Sequence, residues 1–96
     1  MQYLKRPVKV EAWRWLFTPD QEEPPSWVTN ALFRWPKVGG LSFEPEHPDG
    51  PRICIATLDA VAIAVPGDYI VQGLWGELYP CKPEIFDATY MPIRHQ

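Results

Sequence analysis

The stretch Pro66–Tyr90, PGDYIVQGLWGELYPCKPEIFDATY, decides how this chain folds. Short runs of aromatic and β-branched residues are separated by Pro66-Gly67-Asp68, Trp75-Gly76 and Pro80-Cys81-Lys82-Pro83, the rhythm of strands joined by tight turns. Pro66 and Gly67 fill the central positions of a type II turn, where φ is first negative and then positive. This predicts a hairpin from a strand over residues 60–65 into one over Tyr69–Leu74. A second hairpin is expected through Trp75-Gly76 into Glu77–Cys81. Pro83 suits the first position of a helical turn near residues 83–88, because its missing N–H breaks no bond there, and Glu84 is an acid beside the positive end of the helix dipole. Thr89 to Ile93 reads as a closing edge strand.

Working towards the start of the chain, Val8 to Trp15 alternates, which predicts a strand with Val8, Val10 and Ala12 in the core and Lys9, Glu11, Trp13 and Trp15 on the other face. Pro24-Pro25 opens a helix near residues 25–35, in which Trp27, Val28, Ala31, Leu32 and Trp35 share one side. Pro36 disfavours helical geometry at Trp35, so the helix should stop near Arg34. Leu41–Glu44 is a short strand, and residues 45–51 form an exposed Pro-rich loop. Arg52–Thr57 and Ala60–Val65 are strands around a Leu58-Asp59 turn. In the second of these, Val61, Ile63 and Val65 are expected to fill the core. Ala60, Ala62 and Ala64 would then face a shallow surface or a closely approaching element. The pattern is that of an α+β domain, a curved antiparallel sheet of about five to seven short strands covered by one main helix.

At 96 residues the chain amounts to a single domain, 1–96. Five Trp, four Tyr and four Phe supply a core even at this size, since each large ring buries about 150–250 Å². Formal net charge is −3, which gives no electrostatic footprint for duplex nucleic acid or an anionic membrane. Charge is nonetheless uneven: Lys5, Arg6, Lys9 and Arg14 make the first strand basic, while Asp20, Glu22, Glu23, Glu44, Glu46 and Asp49 make two middle loops acidic. No apolar run reaches the roughly 18 residues of a membrane helix, and a cytoplasmic location is expected. Cys54 and Cys81 are too few for a disulfide framework and are read as thiols.

No motif carries a reaction. Lys82 could acidify Cys81 into a thiolate, but neither His47 nor His95 stands beside it as a base. His47, Cys54, Cys81 and His95 offer zinc-binding atoms without the short spacing by which one turn presents two ligands. Asp68, Glu77, Glu84 and Asp87 have local roles at turns and helix ends that weigh against an acid–base pair. Gly67, Gly73 and Gly76 lie in or between strands rather than before a helix, so they form no phosphate loop. The expectation is therefore a protein without enzymatic activity, cofactor or metal. Trp13, Trp15, Tyr69, Trp75, Tyr79 and Tyr90 exceed what a small sheet easily hides, which predicts a recognition surface. Its contact cluster is placed at Asp68, Trp75, Tyr79, Lys82 and Arg14.

Several segments resemble a known group. Gly67-Asp68-Tyr69-Ile70, Gly73, Gly76-Glu77, Tyr79-Pro80-Cys81-Lys82-Pro83, Ile85-Phe86 and Thr89-Tyr90 are similar to the tail of a family of small uncharacterised proteins encoded by tailed bacteriophages and prophages. Tyr3, Lys5-Arg6-Pro7-Val8, Val10-Glu11-Ala12 and Trp15 resemble the start of the same proteins, whereas Phe17 to about Gly50 carries no matching motif. The resemblance implies a phage or prophage accessory protein acting in the bacterial host. The expected role is a binding module that modulates a host protein. One alternative is a small-ligand binder, for instance of a nucleotide, with Lys82 or Arg14 answering phosphate. A virion or assembly component is another.

Overall fold

A computed structural model of the chain describes residues 1–4 and 6–93. The elements follow in the order β1 (Glu11–Arg14), α1 (Ser26–Ala31), β2 (Leu41–Glu44), β3 (Arg52–Ala56), β4 (Val61–Ala64), β5 (Tyr69–Gln72), β6 (Leu78–Cys81) and α2 (Pro83–Thr89). The six strands form two antiparallel three-stranded sheets, β1-β5-β6 and β2-β3-β4. The α+β class is as expected, but two sheets take the place of one. They meet where β3 and β4 approach β6. A single buried cluster joins Trp13, Ile70 and Leu78 of the first sheet, Leu41, Ile53, Ile55 and Ala64 of the second, and Val28 and Ala31 of α1.

The two sheets part at the Pro66-Gly67 turn. Asp68 N–H donates to the Val65 carbonyl at 3.0 Å, and Gly67 has φ +99°, so the turn forms as its residues demand. It does not close a hairpin. β4 pairs with β3, whereas β5 pairs on both sides, with β1 and β6. The turn is held instead by the end of β1: Gly67 N–H donates to the Trp15 carbonyl at 2.6 Å and Trp15 N–H to the Asp68 carbonyl at 2.9 Å. The Trp75-Gly76 hairpin does form, joining β5 to β6, with Gly73 N–H donating to the Glu77 carbonyl at 2.8 Å.

In β1 and β4 the buried face is opposite to the expected one. Trp13 and Trp15 are buried, while Val8 and Ala12 are exposed. Likewise Val61, Ile63 and Val65 are exposed, and Ala64 is fully buried with Ala62 packed on the core. Alternation defines two faces of a strand but not which one is covered. Two indole rings bury far more apolar area than two valines and an alanine, which orients β1. Small residues on the inner face of β4 permit the close approach of β6 that brings the sheets together.

Helix α1 begins directly after Pro24-Pro25 but ends at Ala31, three residues short of Arg34. Beyond it, Leu32, Phe33 and Arg34 N–H groups donate to the carbonyls of Thr29, Asn30 and Ala31, tightened turns that lead to Pro36. Leu32 is consequently exposed rather than part of a buried stripe. The expected strand at 89–93 is absent, because α2 runs to Thr89 and Tyr90–Ile93 pairs with no sheet. Phe86 and Tyr90, one helical turn apart, instead lay their rings over the outer face of the first sheet. Phe86 stacks on Tyr69 with centroids 3.8 Å apart, and the Tyr90 hydroxyl is 3.0 Å from that of Tyr79.

Candidate functional site

An open groove of about 450 Å³ lies between the segment 17–24, α1 and β2. Its floor is core: Trp13, Trp15, Val28, Leu41 and Ile53 are all buried. Its walls are Phe17, Leu32 and Phe43, side chains that remain between 44% and 47% exposed. Trp15, Phe17 and Phe43 interlock, with centroids 5.6–5.9 Å apart and Phe43 edge-on to both partners. Edge-to-face arrangements of this kind add stability beyond area burial and fix ring orientation. Thr18, Gln21 and Thr29 are the polar residues that line the groove, and no charged side chain among the described residues does so.

The groove is held open by a side-chain latch. Gln21 Oε1 accepts from the Leu16 and Phe17 N–H groups at 2.5 and 3.0 Å, while Gln21 Nε2 donates to the Arg14 and Glu22 carbonyls at 2.8 and 3.1 Å. Trp13 Nε1 adds a bond to the Glu22 carbonyl at 3.1 Å. These bonds fasten the loop to β1 and hold Phe17 at φ +56°, a left-handed conformation that disfavours a bulky residue. A backbone strained so that an aromatic ring can stand at the mouth of an apolar groove marks a place where the surrounding structure has overruled local preference.

The residues expected to form the contact cluster are spread over three places. Arg14, Asp68 and Lys82 meet at one corner of the first sheet. Asp68 is only 2% exposed; its Oδ2 accepts from the Val65 N–H at 3.0 Å, and Lys82 Nζ bonds both carboxylate oxygens at 3.0–3.1 Å. Arg14 Nε donates to the Gly67 carbonyl at 3.1 Å, with its guanidinium 5.5 Å from the Tyr69 ring centroid. Tyr79 is half-buried against Tyr90, and burial first, then that hydroxyl, push its phenol well above the usual range. Trp75, 87% exposed, stands at the β5–β6 tip, the far end of the hairpin from Asp68.

Asp68 and Lys82 thus act as a clasp on the turn that links the two sheets. Replacing Asp68 by alanine is expected to destabilise the fold by about 2 kcal/mol, since the buried carboxylate that accepts from the Val65 N–H and pairs with the Lys82 ammonium is lost. Asparagine at the same position should recover part of this through its carbonyl oxygen, a difference that urea unfolding resolves.

The remaining chemistry is quiet. Burial, followed by the charges of Asp68 and Glu84, pushes the Cys81 thiol above its ordinary range, so Lys82, turned towards Asp68, does not produce a thiolate. Cys54 is likewise raised, by burial and by its bond to Glu44, whose carboxyl is lowered by Cys54 and Arg52. Both cysteines are free thiols. Among the described residues no group of His, Cys, Asp or Glu is placed to hold a metal; His95 lies outside them. No helix among those residues is long and apolar enough to cross a membrane.

Sequence reading counted Trp13 and Trp15 among the recognition aromatics, and they reach the groove as its floor. Phe17, Leu32 and Phe43 were passed over because they are far apart in sequence and follow no common period. The signal available was the Gln21-Glu22-Glu23-Pro24 loop directly after an aromatic strand. No protein-family model, curated protein or solved structure matches this chain.

Proposed function

We propose that this chain is a phage or prophage accessory protein without enzymatic activity, a binding module whose groove takes bulky apolar side chains of a bacterial host protein. The observation that carries this reading is a preformed groove of about 450 Å³, walled by Phe17, Leu32 and Phe43, with no charged lining residue among the described residues. Two interlocked rings and a leucine around a buried apolar floor are the setting in which a few partner side chains supply most of the binding energy. A nucleotide is favoured less, because none of the described residues lining the groove carries a charge to answer a phosphate. A smaller cleft of about 290 Å³ does hold Arg14 and Tyr69, but Asp20 and Glu22 line it too and oppose an anion.

Peptide-display selection on the intact chain tests the reading. Selected peptides are expected to share bulky apolar anchors, and Phe17→Asp or Leu32→Asp should weaken them by about 30-fold, equivalent to about 2 kcal/mol. A thermal-shift panel of nucleotides should stay flat. Selected peptides that bind both variants as tightly as the parent, or a nucleotide that stabilises the chain, would overturn it.

A further inference from the structure

The chain carries a segment with the chemistry this groove would select. Residues 1–9, MQYLKRPVK, combine the bulky side chains Met1, Tyr3 and Leu4 with Lys5, Arg6 and Lys9 and no acid. The described part of this segment belongs to no helix or strand, and Tyr3 and Leu4 are 85% and 97% exposed. Two large apolar side chains adjacent in the chain, left in water, are an interaction surface rather than ordinary surface composition. The groove has the converse character. Its apolar lining is continuous with the loop 17–24, whose charged residues Asp20, Glu22 and Glu23 are all acidic and exposed. Arm and loop therefore match in both hydrophobicity and sign of charge.

We infer that residues 1–9 of a second copy of this chain occupy the groove, with Tyr3 and Leu4 against Phe17, Leu32 and Phe43, and with Arg6 and Lys9 facing Asp20 and Glu23. Leu4 precedes the start of β1 at Glu11 by seven residues, a span of up to about 25 Å when extended, so the arm can cross to a neighbouring molecule. Reciprocal exchange closes the assembly at two copies, because each chain then contributes one arm and one groove. This rests on the groove being the recognition site and adds its regulation: the dimer hides the groove, and a host partner must displace the arm.

Light scattering coupled to size exclusion, run on the full chain across a 200-fold concentration range, tests this. The mass is expected to rise from 11.1 kDa to twice that value and stop. A chain carrying Tyr3→Asp and Leu4→Asp should remain monomeric, and these positions lie outside the core, so its fold is untouched. The synthetic peptide of residues 1–9 should bind that variant and dissociate the parent dimer. Arg6→Glu with Lys9→Glu should weaken association tenfold or more, and Asp20→Lys with Glu23→Lys added to that chain should restore it. A constant monomer mass, a dimer indifferent to the Tyr3 and Leu4 changes, or a mass that grows past two copies would each overturn the inference. Display-selected peptides that still need Phe17 and Leu32 would, in that event, leave the groove's recognition role standing.

Discussion

Replacing Trp15 by alanine is expected to lower the free energy of unfolding by about 3–5 kcal/mol, among the largest costs a single side chain in this protein can carry. Trp15 is 3% exposed and belongs to the core that joins the two sheets, yet its ring also floors the groove and touches Phe17 and Phe43. Truncation removes the transfer free energy of the indole and leaves a void continuous with the groove, while Phe17 and Phe43 lose the ring that orients them. The main-chain bonds of Trp15 to Gly67 and Asp68 do not depend on the side chain and should persist. Urea unfolding should therefore show a lower midpoint with little change in slope. Trp75→Ala is the contrasting case: that ring is 87% exposed, and its loss should change stability by less than about 0.5 kcal/mol. Near-equal effects of the two substitutions would contradict the placement of Trp15.

The second large effect is expected at Gly40, where alanine should cost about 3 kcal/mol. A Cβ built there would come within 2.7 Å of the Arg34 carbonyl carbon and closer still to the backbone of Trp35. These neighbours are main chain, so no side chain can swing aside to relieve the clash. Gly40 also donates to the Lys37 carbonyl at 2.8 Å and accepts from Ala56 N–H at 3.0 Å, so moving it would loosen both the turn after α1 and the start of the β2–β3 pairing. Because α1 and β2 both border the groove, loss of the close approach should also widen the space between Leu32 and Phe43. A Gly40→Ala chain with a urea midpoint indistinguishable from the parent would refute this account.

Much of the local structure was legible from residue types alone. Pro24-Pro25 sets the start of α1, Pro66-Gly67 sets a turn with positive φ at Gly67, and Pro83 starts α2, each because a proline or glycine restricts its own backbone wherever it stands. The destinations of the strands were not legible in this way. The same turn at residues 65–68 serves a hairpin or a crossing between sheets, and the choice lay with β1, whose end bonds the turn and whose strand takes one side of β5. The clasp of Asp68 and Lys82 illustrates this for the site: 14 residues apart, they look like two free polar groups until β5 and β6 pair and bring them within 3.1 Å.

The groove shows the division most clearly. The sequence by itself determined an α+β chain rich in aromatic rings, with an acidic loop after the first strand and a basic, apolar segment before it, since these are matters of composition and short-range order. Tertiary structure alone decided which rings are floor, wall or surface. Burial is a cooperative property of two sheets and a helix meeting: Trp13 and Trp15 turn inward because the second sheet covers them, and Phe17, Leu32 and Phe43 stand at the rim because three separate elements end there.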